Sequence, residues 1–307
     1  MTLRPTPARG AHTLSTEGTD ERFAAIDSMT VAALASAMNA EDAGVPAAVA
    51  TALPAIVSAI DAVIERMKRG GRLIYVGAGT PGRIAVLDAS ECPPTFGTDP
   101  QQVFAIIAGG DEALINAKEG AEDDAEAAIV AIDGASVGEN DVVVGIASSG
   151  RTPFVLAAVE ESRRRGAATI GLSCNVRTPL SAVSEHPIEV IVGPEIISGS
   201  TRLKAGTAQK LVLNMLSTIS MVALGRTYGN LMVDVRATNS KLRDRAVRIV
   251  STVTKVEPER ARAALELAGF QVKPTIVSLQ LGVSLTEAQA HLERHGGRLR
   301  DVLGGQE

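Results

Sequence analysis

Tryptophan is absent from this 307-residue chain, and aromatic residues make up only 2% of it. A platform that stacks single-stranded nucleic acid on aromatic rings therefore has almost nothing to be built from. The formal charge of −5 opposes adhesion to nucleic acid or to an anionic membrane surface. Cysteine is nearly missing as well: Cys92 and Cys174 stand far apart and form no CxxC motif, which excludes a disulfide framework or a cysteine-held structural zinc. No apolar run approaches the ~18 residues of a membrane span. The opening MTLRPTPARGAHTLSTEG lacks the apolar centre of a signal peptide, so the expected location is the cytoplasm. Histidine is limited to His12, His186, His291 and His295. The last two lie one helical turn apart in HLERH, but the glutamate is misplaced for HExxH or HxxEH, and a solvated helix end is the ordinary reading. His186 follows Ser184-Glu185 without a nucleophile elbow. No metal site is expected, and acid–base chemistry falls to carboxylates.

Hydrophobic residues reach 45%, so a sizeable core is available, built from Ala, Val, Leu and Ile. Short apolar runs at 72–76, 103–107, 142–146, 168–172 and 188–192 read as buried strands. Helical stretches at 82–90, 112–132 and 153–165 separate most of them. This alternation predicts right-handed βαβ units and a mostly parallel sheet. Residues 46–69 read as one long amphipathic helix, ended by Gly70-Gly71. Residues 204–224 form a nearly uncharged helix that must be buried, under the sheet or against a second subunit. Three short helices at 258–267, 273–281 and 286–294 close the chain. The expected organisation is an N-terminal helical arm (1–45), a central α/β domain (46–250) and a C-terminal three-helix unit (251–307).

Three loops combine glycine, hydroxyls and cations ahead of helices, where backbone N–H groups attract anions. They are GAGTPGR at 77–83, SSGRT at 148–152 and SGSTRLKAGTAQK at 198–210. Together they point to a phosphate-bearing ligand. The first also matches the dinucleotide pattern at Gly77, Gly79 and Gly82, but the second strand ends in AIIAGG and not in the acidic residue that would hold a ribose. In LDASECPPTFG, Pro93-Pro94 predicts a helix that stops near Glu91. A carboxylate at the negative end of a helix is favoured in its protonated form, apt for a general acid, although a solvated glutamate is the plainer alternative. A second acidic cluster holds Glu119, Glu122, Asp123 and Asp124, ordinarily a solvated helix face. Glu91 and Glu122 follow the first and second strands, so both could approach one sheet edge.

Four strings, GRLIYVGAGTPGRIAVLDASECPPTFG, AGGDEALINAKEGAEDDAEA, GIASSGRTPFV and GPEIISGSTRLKAGTAQKLVLNMLST, resemble the N-acetylmuramic acid 6-phosphate etherases, built on a sugar-isomerase (SIS) domain. The match continues through YGNLMVDVRATNSKL, and the last helices resemble the family's small ubiquitin-associated-like unit. The segment STEGTDERFAAID departs from the family's usual opening. The resemblance implies an α/β three-layer sandwich with a five-stranded sheet, a homodimer, and no metal or redox cofactor. It implies cleavage of a lactyl ether from N-acetylmuramic acid 6-phosphate in amino-sugar recycling. The family's essential glutamates fall on Glu91, as proton donor, and Glu122, as the C2 base and water activator. Substrate binding falls on Gly79, Thr80, Ser148, Ser149, Gly150, Thr152, Ser200, Thr201 and Arg202. Pro81 stands where the family's first loop has serine, removing both a hydroxyl and an N–H. A non-catalytic sugar-phosphate sensor, similar to the glucokinase regulatory protein, and an aldose–ketose isomerase are the alternatives.

Overall fold

The computed structural model describes residues 14–116 and 118–304, and His12 lies outside them. After three short 3-10 turns come α1 (Val31–Asp42), α2 (Val45–Thr51) and α3 (Leu53–Lys68). The central domain continues with β1 (Leu73–Gly77), α4 (Thr80–Phe96), β2 (Val103–Ile107), α5 (Ala125–Gly134), β3 (Val142–Ile146) and α6 (Pro153–Arg164). It closes with β4 (Ala168–Ser173), α7 (Pro179–Val183), β5 (His186–Glu189) and α8 (Lys204–Ala223). The strands pair in parallel in the order β2-β1-β3-β4-β5.

Side chains that alternate along a strand reach opposite faces of the sheet. Leu73, Tyr75, Val142 and Val144 pack with Ile56, Ala85 and Leu213 in the layer of α3, α4 and α8. Ile74, Val76 and Val143 pack with Ile132, Phe154 and Val155 in the layer of α5 and α6. The fold is thus the expected three-layer α/β sandwich. Small residues stand in for the missing aromatics: a Cβ on Gly145 would lie 2.5 Å from Val159 Cγ2, so α6 rests directly on β3.

Several boundaries differ from the sequence reading. The expected helix at 46–69 breaks at Ala52, because Pro54 at the start of α3 has no N–H to continue α2. The stretch 112–132 begins with two 3-10 turns, Asp111–Leu114 and Ala121–Asp123, before α5, whose N-cap Asp124 accepts from Ala127 N. β5 starts at His186 and ends before 190. The nearly uncharged α8 is buried under the sheet of its own chain, where Val212, Leu213 and Leu216 are wholly inaccessible.

The helix expected to stop near Glu91 instead runs to Phe96 with Pro93 and Pro94 inside it. The prolines leave the carbonyls of Ala89 and Ser90 without helical donors, a defect of about 3 kcal/mol. Cys92 and Phe96, buried beneath the sheet, offset that cost, and Gly97 N closes the helix on Pro93 O at 3.0 Å.

The C-terminal unit contains α9 (Ser240–Thr254), α10 (Pro258–Leu267), α11 (Val272–Leu281), α12 (Leu285–Arg294) and α13 (Leu299–Val302). Its core joins Val233, Val247, Val250, Leu265 and Ile276, so the expected boundary at 251 falls inside α9. Among the described residues no single helix is long and apolar enough to cross a membrane.

Candidate functional site

β1 lies between β2 and β3, so the chain leaves β1 in one direction and β3 in the other. Such a reversal opens a crevice at the carboxyl ends of the two strands. The first two glycine-rich loops border it. Gly79 is the N-cap of α4 at φ 58° and ψ −130°, a conformation that L side chains rarely adopt. Gly150 (φ 64°) turns the second loop into α6, whose N-cap is Thr152. Gly79 has no side chain to cap α4, and no amide of α6 donates to the side chain of its N-cap Thr152. Two helix N-termini therefore border the crevice with free first-turn amides, except at Pro81 of α4 and Pro153 of α6, which have no N–H.

α8 brings the third loop to the first. A Cβ on Gly206 would lie 3.5 Å from Thr80 Cγ2 and 3.6 Å from Thr201 O, so the opening turns of α4 and α8 abut. The buried Gln209 of α8 donates Nε2 to Ser148 Oγ at 2.9 Å, which ties in the loop after β3. Ser149 is half-buried and its Oγ accepts from Arg151 N, while Ser200 is half-buried and Arg202 exposed. Thr80, Ser148 and Thr201 are thus gathered around one set of strand ends.

The N-terminus of α8 is not free for a ligand. The buried Glu195 accepts from Lys204 N at 3.0 Å and Ala205 N at 2.9 Å, standing where an anion would sit. Lys204 itself is buried and donates Nζ to Glu41 Oε2 at 2.8 Å. The third loop accordingly offers side chains to the crevice more than α8 amides. Pro81 is buried in the first turn of α4, so its side chain faces the fold.

Glu91 and Glu122 stand on segments that pack against opposite faces of the sheet. Eleven residues separate Thr80 from Glu91 on α4, a displacement of about 16 Å along the helix. Glu91 is exposed and lies inside the helix, five residues from its end, so the helix-end argument for an acid role does not apply. Glu122 is exposed in the turn after β2, and its neighbour Ala121 packs with the α5 and α6 layer, opposite that of α4.

Sequence reasoning missed the polar centre beneath Glu91. Asp88, one turn earlier, is buried and accepts from Tyr75 Oη at 2.8 Å, Asn214 Nδ2 at 2.7 Å and Ser217 Oγ at 3.1 Å. Burial, and then the Asp88 charge, hold the Tyr75 phenol well above its ordinary pKa. Burial also pushes the Cys92 thiol up to about 12, with Asp88 adding to it, which removes Cys92 as a nucleophile at neutral pH. These partners come from β1 and α8, and nothing in the local sequence pairs them. Among the described residues no group of three His, Cys, Asp or Glu side chains is placed to hold a metal ion.

Comparison with known proteins adds three family matches. The SIS domain matches residues 125–219, the glucokinase regulatory protein N-terminal SIS domain matches 55–163, and the C-terminal lid domain of glucokinase regulatory protein matches 229–275. The chain is 56% identical over 291 residues to an N-acetylmuramic acid 6-phosphate etherase of Rubrobacter xylanophilus, covering 95% of this chain and 96% of the relative. An enzyme of the same name from Streptomyces avermitilis is 54% identical over 291 residues, covering 95% and 94%. Among solved structures, a phosphoheptose isomerase from Francisella tularensis superposes with a TM-score of 0.51 at 23% identity, over 63% of this chain and 100% of that one.

Proposed function

The chain belongs to the N-acetylmuramic acid 6-phosphate etherase family, and from that premise we propose how its residues divide the reaction. It is a lyase that removes D-lactate from the substrate's C3 ether and, with water, leaves N-acetylglucosamine 6-phosphate, in amino-sugar recycling. Two of the family matches carry the name of the glucokinase regulatory protein, but the etherase relatives match over nearly the whole chain, which favours catalysis over sensing.

In this reading the phosphate rests in the crevice between β1 and β3. The N-terminal turns of α4 and α6 face it, with Gly79, Thr80, Ser148, Ser149, Gly150, Thr152, Ser200, Thr201 and Arg202 around it. The observation that carries this is the convergence of Thr80, Ser148 and Thr201 through Gly206 and Gln209. In the open-chain sugar the C1 aldehyde acidifies the C2 hydrogen. Glu122 takes that proton and Glu91 protonates the departing ether oxygen; once Glu122 has released its proton to solvent it takes one from the water that adds at C3 and delivers it to C2, and Glu91 regains its proton from solvent.

The enzyme acts as a homodimer in this reading. Glu91, about 16 Å along α4 from the phosphate end and on the layer opposite Glu122, is better suited to a site that two chains build than to one within a single chain. A phosphorylated amino sugar as substrate supports work in the cytoplasm. Incubation with N-acetylmuramic acid 6-phosphate should release D-lactate, and light scattering should report a dimer. Absence of lactate would overturn the reading of the reaction, and a monomer at micromolar concentration the reading of the assembly.

A further inference from the structure

We propose that Glu17 is the acid–base group that opens the sugar ring, a step distinct from those of Glu91 and Glu122; this rests on the substrate reading above. The segment around Glu17 is fastened across the candidate site. Ser15 Oγ donates to Asn175 Oδ1 at 2.9 Å, and Asn175 Nδ2 donates to Thr16 Oγ1 at 3.0 Å and to Ser148 O at 2.9 Å. Ser198 Oγ donates to Gly18 O at 2.9 Å. Thr16 is wholly buried, whereas Glu17 is exposed. Glu17 is thereby held between the loop after β3 and the loop ahead of α8, two of the three loops that border the crevice. Its Oε2 lies 3.2 Å from the position a Cβ on Gly199 would take.

A second observation marks the same place as a ligand site. Gln209, wholly buried and bonded through Nε2 to Ser148 Oγ, has an Oε1 with no hydrogen-bond partner among the described residues. A buried acceptor left open under these loops has room in its hydrogen bonding for a donor, a water or a ligand hydroxyl, beside the loop to which the Glu17 segment is tied.

The chemistry explains why a carboxylate should border a phosphate loop. The phosphate is on C6, and C5 beside it carries the ring oxygen O5, which shares C1 with the O1 hydroxyl. A group at the edge of the phosphate loop therefore stands toward O5 and O1, while Glu91 and Glu122 work at C3 and C2. In ring opening the Glu17 carboxylate takes the O1 proton and the O1 electron pair forms the C1 carbonyl. The C1–O5 bond breaks with its pair on O5, and Glu17 returns the proton there. Glu17 ends as it began, and no co-reactant is consumed.

N-acetylglucosamine 6-phosphate opens by the same step, so anomer exchange of this product, followed by NMR, isolates ring opening from ether cleavage. Wild type should accelerate the exchange. Glu17→Gln should lose about a hundredfold of the acceleration, keep its fold by circular dichroism and bind the product with unchanged Kd. With substrate deuterated at C2, the isotope effect on turnover should vanish in Glu17→Gln, because ring opening then limits the rate. Exchange at the wild-type rate in Glu17→Gln overturns the proposal. Loss of product affinity together with exchange also overturns it, in favour of a binding role. A wild type that releases D-lactate but does not accelerate anomer exchange overturns it while leaving the substrate reading intact. A wild type that releases no lactate removes that reading, and this proposal with it.

Discussion

The Tyr75 hydroxyl donates to Asp88 Oδ2 at 2.8 Å, joining the interior strand β1 to the helix that carries Glu91. Asn214 and Ser217 of α8 donate to the other oxygen of the same side chain, so one buried carboxyl group is held by three neutral donors and fixes α4 between sheet and helix. Asp88→Ala leaves those donors without their acceptor, at about 1–3 kcal/mol for each buried group left unpaired. We expect a loss of roughly 3 kcal/mol or more, read as a lower urea midpoint, with Asp88→Asn milder because it keeps one acceptor oxygen. An unchanged midpoint in Asp88→Ala would show that the network does not hold α4.

Glu91 and Glu122 are exposed, so their removal should cost activity without costing the fold. Glu91→Gln and Glu122→Gln should each stay within about 0.5 kcal/mol of wild-type stability. Each should lose most D-lactate release. Exchange of the C2 hydrogen with solvent should stop in Glu122→Gln alone, and normal exchange there would remove its assignment as the base.

Pro81 occupies the second position of α4 with its ring buried, so what the crevice lacks is chiefly a backbone N–H, not a hydroxyl. Pro81→Ala and Pro81→Ser should both restore that amide and tighten binding of the phosphorylated sugar. A hydrogen bond to a charged group contributes about 1.5–3 kcal/mol, roughly ten- to a hundredfold in Kd. Binding of the unphosphorylated sugar should not change. Tightening by serine but not by alanine would instead assign the gain to the hydroxyl.

The Glu41–Lys204 pair sets a pH dependence whose sign can be worked out. The hydrogen bond from Lys204, and more weakly Arg22, holds the Glu41 carboxyl below its ordinary value of 4.5. A folded pKa depressed below the unfolded one contributes stability that is complete above the unfolded value and is lost as pH falls through the folded value. Glu41→Gln also leaves the buried Lys204 ammonium unpaired, a cost of about 3 kcal/mol near neutrality. The gap between the two denaturation midpoints should therefore narrow as pH falls below about 4.5. A gap constant down to about pH 3 would show that the pair contributes nothing.

The three-layer architecture was legible in the sequence because it rests on local signals. The runs at 103–107 and 142–146 are strands over those same residues, since a continuous apolar segment bounded by polar turns has few other uses in an α/β chain. The glycine-rich loops at 77–83 and 148–152 were legible for a similar reason: Gly79 and Gly150 adopt positive φ just ahead of helices.

Other features were decided only when distant segments met. Pro93 and Pro94 speak locally for a helix end near Glu91, yet Cys92 and Phe96 bury against the core and carry α4 past them. Glu195 takes the α8 amides that a ligand would otherwise use, and Asn175 fastens a segment about 160 residues earlier across the strand ends. A sequence states which backbone and side-chain groups need partners within a few residues. When the partner lies on another strand or helix, burial and close packing make the choice, and that information exists only in the assembled fold.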